Sequence, residues 1–243
     1  MYTLHKKSCM GMKEVATDSI DGIVTSPPYK DEDGYSEELM KDLARNCYRV
    51  LKNGSSCFVN FGQLASDKGR PFSVANEFAE YFDWIDTIIW VKSNEWMGGH
   101  YTPVNSKYRM NNMYEYIFQF AKGKAEIDRL ALGIPYLDKT NIKRYGATDT
   151  KSGAKKDLRC AGNVWYVSYT TVQSKDQKPH KDMFPEEIPR RCLKLMNLPR
   201  GSTILDPFMG SGTTGRAARD MGYKVVGYEI NDKYWTKEAD LFE

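Results

Sequence analysis

The chain reads as an α/β protein built on a mostly parallel sheet. Three observations predict this. Short β-branched apolar strands alternate with helically spaced apolar residues, a glycine-rich turn joins one strand to a helix, and the strand after that helix ends in an acid. At 243 residues the chain is one large domain or one domain with an insertion. Ile20 to Thr25 is an apolar strand running into Ser26-Pro27-Pro28-Tyr29, where two prolines forbid both ladder and helix. Leu39, Leu43, Ala44, Cys47, Val50 and Leu51 repeat at helical spacing over 37–51, and Gly54 stops the helix. Strands are predicted at 56–61, 84–91 and 114–121, with a helix at 74–82. A helix over 185–198 opens with Pro-Glu-Glu. Strand 202–205, a glycine turn, helix 214–221 and strand 224–229 then make a βαβ unit.

Composition narrows the function classes. Lys and Arg number 35 against 32 Asp and Glu, a net charge of +3 that by itself does not indicate a nucleic-acid binder. No apolar run approaches the ~20 residues of a membrane span, and the first seven residues lack the apolar stretch of a signal peptide. Five cysteines, at 9, 47, 57, 160 and 192, form no C-x-x-C pair and do not cluster with the three histidines. That pattern fits reduced thiols in a cytoplasmic protein without a metal.

The charge is unevenly spread. From 122 to 178 there are 12 Lys/Arg against 6 Asp/Glu, which leaves the rest slightly acidic. Lys139, Lys143, Arg144, Lys151, Lys155, Lys156 and Arg159 fall in one stretch with only Asp149 and Asp157 opposing them. Such a segment is either a solvated insertion or a phosphate-contacting surface.

Two loops carry chemistry. In Asp206-Pro207-Phe208-Met209-Gly210-Ser211-Gly212-Thr213-Thr214 the glycines let backbone approach a ligand closely. Glu229, closing the next strand, can accept hydrogen bonds from both hydroxyls of a ribose. NAD, FAD, ATP and S-adenosyl-L-methionine all carry one. A carboxylate at Asp206 repels a pyrophosphate but suits the amino-acid ammonium of S-adenosyl-L-methionine. In the other loop, the Ser26 hydroxyl and the Pro27 carbonyl are two acceptors beside the Tyr29 ring. That is a receptor for a planar group bearing an NH2, with both N–H bonds held and no strong base needed.

With both loops in view, the chain resembles the S-adenosyl-L-methionine-dependent DNA amino-methyltransferases. Ser26 to Tyr29 matches their S/N/D-P-P-Y motif, and Asp206 to Thr214 their D-P-F-x-G-S-G-T-T motif. Catalytic motif first and cofactor motif last is the order of the circularly permuted beta class. The resemblance extends over Asp18-Ser19-Ile20-Asp21, Asn112-x-x-Glu115-Tyr116-Ile117, Asn163-Val164-Trp165 and His180-x-x-x-Phe184-Pro185-Glu186.

It implies a Rossmann-like class I methyltransferase with a seven-stranded sheet. Residues 1–121 would form the catalytic half, 122–162 a target-recognition insert holding the basic stretch, and 163–243 the cofactor half. It implies Ser26, Pro27, Pro28 and Tyr29 as the catalytic loop. The cofactor set would be Asp206, Pro207, Phe208, Gly210, Ser211, Gly212, Thr213 and Glu229, with His180, Phe184 and Pro185 packed around it. Lys7-Ser8-Cys9 stands where members carry Gly-Asp-Cys or Gly-Asp-Ser, with the Asp beside the adenine, so Ser8 is the candidate for that position here. Members carry a loop in the region of Trp96 to Tyr101, which reads either as an aromatic loop beside the target base or as an ordinary packed Trp with a surface loop. Arg109 and Asn111 are candidate DNA contacts, and Asn112 is a candidate for a structural role or a DNA contact.

The implied partner is double-stranded DNA, from which the target base is flipped onto Tyr29. Ser before Pro-Pro-Tyr leans toward N4 of cytosine, and Asp or Asn toward N6 of adenine. Protein or RNA amino-methyltransferases with a Pro-Pro-Tyr loop place their cofactor motif upstream of it, opposite to the order here. Monomer and homodimer are not separated at this level.

Overall fold

The structure is a computed structural model in which residues 2–29, 36–64, 66–93, 107–168 and 184–235 are described. The strands are β1 (Tyr2–His5), β2 (Gly22–Thr25), β3 (Ser55–Phe61), β4 (Asp83–Val91), β5 (Tyr114–Lys122), β6 (Val164–Tyr166), β7 (Thr203–Asp206) and β8 (Lys224–Tyr228). The helices are α1 (Glu37–Val50), α2 (Arg70–Ala79), α3 (Thr140–Tyr145), α4 (Glu187–Met196), α5 (Thr213–Asp220) and α6 (Asp232–Trp235). The strands form one sheet in the order β1-β8-β7-β2-β3-β5-β4-β6. Of these, β5 alone opposes the rest, pairing antiparallel with β3 and β4.

The sheet is mostly parallel, as expected, but it has eight strands among the described residues and not seven. The additional edge strand is β6, three residues that pair in parallel with β4 through Ile89↔Val164 and Trp90↔Trp165.

Successive residues of the central strands point to opposite faces. Ile23, Val59 and Phe118 join one apolar cluster with Met40, Leu43, Val74 and Phe78 of α1 and α2. Val24, Phe58 and Ile117 join the other, with Ile188, Leu193, Ala217 and Ala218 of α4 and α5. Burial on both faces explains why these strands read as largely apolar and not as a strict apolar/polar alternation. Helix α1 starts where Ser36 Oγ accepts the Leu39 N–H at 3.0 Å, satisfying an otherwise unpaired donor of the first turn. Helix α2 begins at Arg70, earlier than the apolar spacing indicates, because Pro71 in its first turn opens a helix and does not break one.

The chain leaves the sheet after Lys122 and returns at Val164. In between lie α3 and short antiparallel bridges, Ile134↔Arg159 and Thr148↔Lys155. This excursion is anchored where the Asp128 N–H donates to the Leu195 carbonyl of α4 at 2.8 Å.

Candidate active site

Strands β2 and β7 are parallel neighbours, with Gly22 opposite Ile204 and Ile23 opposite Leu205. Their carboxyl ends therefore open on the same edge of the sheet, the edge where open α/β sheets bind ligands. Thr25 Oγ1 donates to Asp206 Oδ1 at 2.8 Å, a buried bridge between residues 181 positions apart in the chain. The Ser-Pro-Pro-Tyr loop and the glycine-rich turn thus start from side chains in direct contact.

In the first loop Pro27 is buried, while Ser26, Pro28 and Tyr29 are half-buried and partly open to solvent. Ser26 Oγ lies 3.2 Å from Tyr29 Oη. Both hydroxyls reach Asn60 Oδ1, at 3.2 Å from Ser26 and 3.0 Å from Tyr29. Tyr29 Oη also reaches Glu115 Oε2 at 3.0 Å. The Tyr29 ring leans on Phe61, centroids 4.6 Å apart and planes tilted by 41°.

Gly62 matters here for its missing side chain. A Cβ there would lie 2.7 Å from Tyr29 Cε2 and 3.2 Å from the Glu115 side chain. Gly62→Ala should therefore push the ring aside and, if the ring positions a base as the resemblance implies, lower turnover about tenfold or more, since small misplacements near the chemistry are costly. Unchanged single-turnover rates in the folded variant would contradict this.

The second loop is a cradle of backbone. Gly210 and Gly212 sit at φ +54° and +81°, the left-handed region that glycine occupies without strain. Gly212 is the N-cap of α5, and Ser211, Gly212 and Thr213 are buried. Arg216 braces the turn from behind, Nη2 donating to Thr213 Oγ1 at 3.3 Å. Asp206 is 2% exposed. Burial pushes its carboxyl up to about 6, with the Glu229 charge adding, against hydrogen bonds from the Thr25 hydroxyl and the Phe208 N–H.

Burial also raises the Glu229 carboxyl, against N–H donors from Asn231, Gly210 and Ile230. Glu229 holds the turn itself: Oε2 accepts the Gly210 N–H at 2.8 Å and Oε1 the Asn231 N–H at 2.7 Å. A carboxylate has about four lone-pair sites, so acceptor capacity remains for a ribose diol. Two buried carboxylates around a glycine turn fit a ligand with an ammonium and a diol, and disfavour a pyrophosphate.

Other residues singled out in the sequence are distributed as follows. Pro207 is buried and Phe208 half-buried against the α1/α2 core. Phe184 is a core residue in the cluster that also contains Met209 of the glycine turn, and Pro185 is half-buried beside it. Ser8 follows β1, and its hydroxyl accepts the Met10 N–H at 3.3 Å. His180 and the aromatic loop at Trp96 to Tyr101 lie outside the described residues. Arg109 is exposed, while Asn111 and Asn112 are half-buried.

Of the seven basic residues, Lys139, Lys143, Arg144, Lys151, Lys155 and Lys156 are exposed and Arg159 is half-buried. Lys139 pairs with Asp157 and Lys156 with Asp149. Arg144 lies over the Tyr145 ring at 5.0 Å. No described helix is long and apolar enough to cross a membrane.

Comparison with known proteins decides the family. A family model described as DNA methylase, covering N6 and N4 methylases, matches residues 20–239. The chain belongs to this DNA methylase family. The orphan methyltransferase M.BamHII of Bacillus amyloliquefaciens is 32% identical over 92% of the chain and 89% of its own length. The DNA adenine methyltransferase YhdJ of Escherichia coli K12 is 27% identical over 95% of the chain and 79% of its own. Among solved structures, the cytosine-N4-specific PvuII DNA methyltransferase superposes with a TM-score of 0.73 at 18% identity, covering 100% of the chain and 88% of that protein. This DNA methylase is accordingly an S-adenosyl-L-methionine-dependent amino-methyltransferase with a class I methyltransferase fold that acts on DNA. Asn60 and Gly62, next to the Ser-Pro-Pro-Tyr loop in space, carry no sequence signal of that placement. Glu115 has one, its place in Asn112-x-x-Glu115-Tyr116-Ile117.

Proposed function

We propose that this DNA methylase modifies the N4 amine of cytosine in double-stranded DNA. The observation that carries the reading is the Ser26 hydroxyl beside the Tyr29 phenol, one strand away from the buried Asp206. A base stacked in a duplex cannot reach this edge, so it must be flipped out, at a cost of a few kcal/mol. The Tyr29 ring then receives its face. Ser26 Oγ and the Pro27 carbonyl accept one N–H bond each, favouring a pyramidal nitrogen whose lone pair points away from the loop. When bound, S-adenosyl-L-methionine supplies a methyl group on a sulfonium centre. Asp206 holds its ammonium, Glu229 its ribose hydroxyls, and the turn through Pro207, Phe208, Gly210, Ser211, Gly212 and Thr213 lies against it. Ser8, Phe184 and Pro185 complete that side of the pocket. These residues act by position and charge, without a strong base.

The same two acceptors can hold the N6 amine of adenine, and the likeness to the E. coli adenine methyltransferase supports this second reading. Mass spectrometry of nucleosides from DNA treated with the full chain separates them. N4-methylcytosine is the expected product, and N6-methyladenine alone overturns the assignment to cytosine.

The segment 122–162 is proposed as the target-recognition region, with Lys143, Arg144, Lys151, Lys155 and Arg159 meeting phosphates. Lys139 and Lys156 would exchange their aspartate partners for them. Alanine at Lys143, Arg144 or Lys151 should weaken binding of all duplexes alike and reduce the salt slope by about one each. An unchanged slope in the triple variant would remove the segment from the interface.

A further inference from the structure

We propose that Glu115, backed by Lys92, is a positioning residue that fixes the plane of the Tyr29 ring, with Asn60 fixing the Ser26 hydroxyl beside it. This rests on the reading of Tyr29 as the platform for the target base. Strand β5 runs against its neighbours, so its first residues reach the edge where β2 and β3 end. Glu115 sits there, opposite Trp90 of β4, and is 5% exposed. A buried carboxylate needs partners, and Glu115 has the Tyr29 phenol at 3.0 Å and Lys92 Nζ at 2.5 Å.

The Lys92 side chain is itself 16% exposed, so its position is held and its charge balances the carboxylate locally. A phenol donating to a carboxylate makes a stronger bond than one donating to a neutral group. The Tyr29 ring is thus held at its polar end by Glu115, at its face by Phe61, and at one edge by the space that Gly62 leaves.

Asn60 supplies the second brace. Its Nδ2 donates to the Tyr116 carbonyl at 3.0 Å, which turns Oδ1 toward Ser26 and Tyr29. Residues 115 and 116 therefore anchor, through one side chain and one carbonyl, both groups that would receive the base. An ion pair that served only the fold would need no hydrogen bond to the ring proposed to receive the base.

A double-mutant cycle on the full chain tests the proposal, using single-turnover methylation of plasmid DNA with tritiated cofactor. Tyr29→Phe removes the hydroxyl and leaves the Glu115–Lys92 pair in place. Tyr29→Phe and Glu115→Gln should each lower the rate about tenfold, the size of one buried hydrogen bond, with cofactor affinity unchanged within about twofold. Added to Tyr29→Phe, Glu115→Gln should cost less than about twofold more. Equal losses from Glu115→Gln in both backgrounds overturn the proposal, as does a loss of cofactor affinity that matches the loss of rate. Glu115→Asp keeps a charge for Lys92 but withdraws the oxygen from the phenol. It should fold and still lose turnover, and full turnover in it also overturns the proposal. If the wild-type chain methylates no DNA, the proposed function falls; if it does and the losses are additive, this inference alone falls.

Discussion

Replacing Tyr29 by alanine should lower methyl transfer by about a hundredfold or more while cofactor affinity stays within about twofold. The ring is half-buried and leans on Phe61 of the neighbouring strand. Its removal takes away a stacking surface worth about 1–3 kcal/mol per base and frees the amine to wander from its two acceptors. Asp206 and Glu229 keep their own hydrogen bonds, to Thr25, Phe208, Gly210 and Asn231. Single-turnover rates and calorimetric titration with cofactor measure the two quantities separately. Parallel losses in both would contradict a division of labour between the loops.

The second large effect is expected at Asp206. Its carboxyl is pushed up to about 6, mainly by burial. Above that pH it is ionised and can pair with an ammonium; as pH falls through about 6 it protonates, and affinity should fall with it. An ammonium favours the charged form, so binding near or below this pH should release a proton, visible as a dependence of the binding heat on buffer ionisation. Asp206→Asn should raise Kd roughly ten- to hundredfold, the worth of a charge-assisted hydrogen bond, and flatten the pH profile. Thr25→Val removes a donor that favours the anion and should move the inflection to higher pH. A wild-type affinity that is level from pH 5 to 8 would contradict both expectations.

Much of this architecture was legible in the sequence because the demands were local. Ile20 to Thr25 and 114–121 announce themselves as strands by their β-branched and aromatic residues. Pro27-Pro28 and Gly210-x-Gly212 impose backbone constraints that few other settings satisfy. Four elements escaped: β1, α3, β6 and α6 span three to six residues each, too short to display a period. Strand β6 exists only because the edge of β4 offers it hydrogen bonds. Asn60 escaped for a different reason, as did the partnership of Glu115 with Tyr29, although the motif around Glu115 was visible. Their meeting with Tyr29 depends on β5 lying antiparallel beside β3, a pairing between segments more than fifty residues apart. In the basic stretch, Asp149 and Asp157 count in the sequence as dilution of charge, whereas in space they are ion-pair partners of Lys156 and Lys139.

The hydrogen bond from Thr25 to Asp206 bears on how such an enzyme can be assembled. On the proposed reading, methyl donor and acceptor amine would be brought together by the spacing of two adjoining strands, about 4.8 Å, and not by the linear order of the chain. Gene rearrangements that shuffle these segments leave the reacting partners at the same separation, provided the sheet re-forms with those two strands side by side. Geometry of the lateral neighbour, and not succession along the polypeptide, is what such a rearranged enzyme has to preserve.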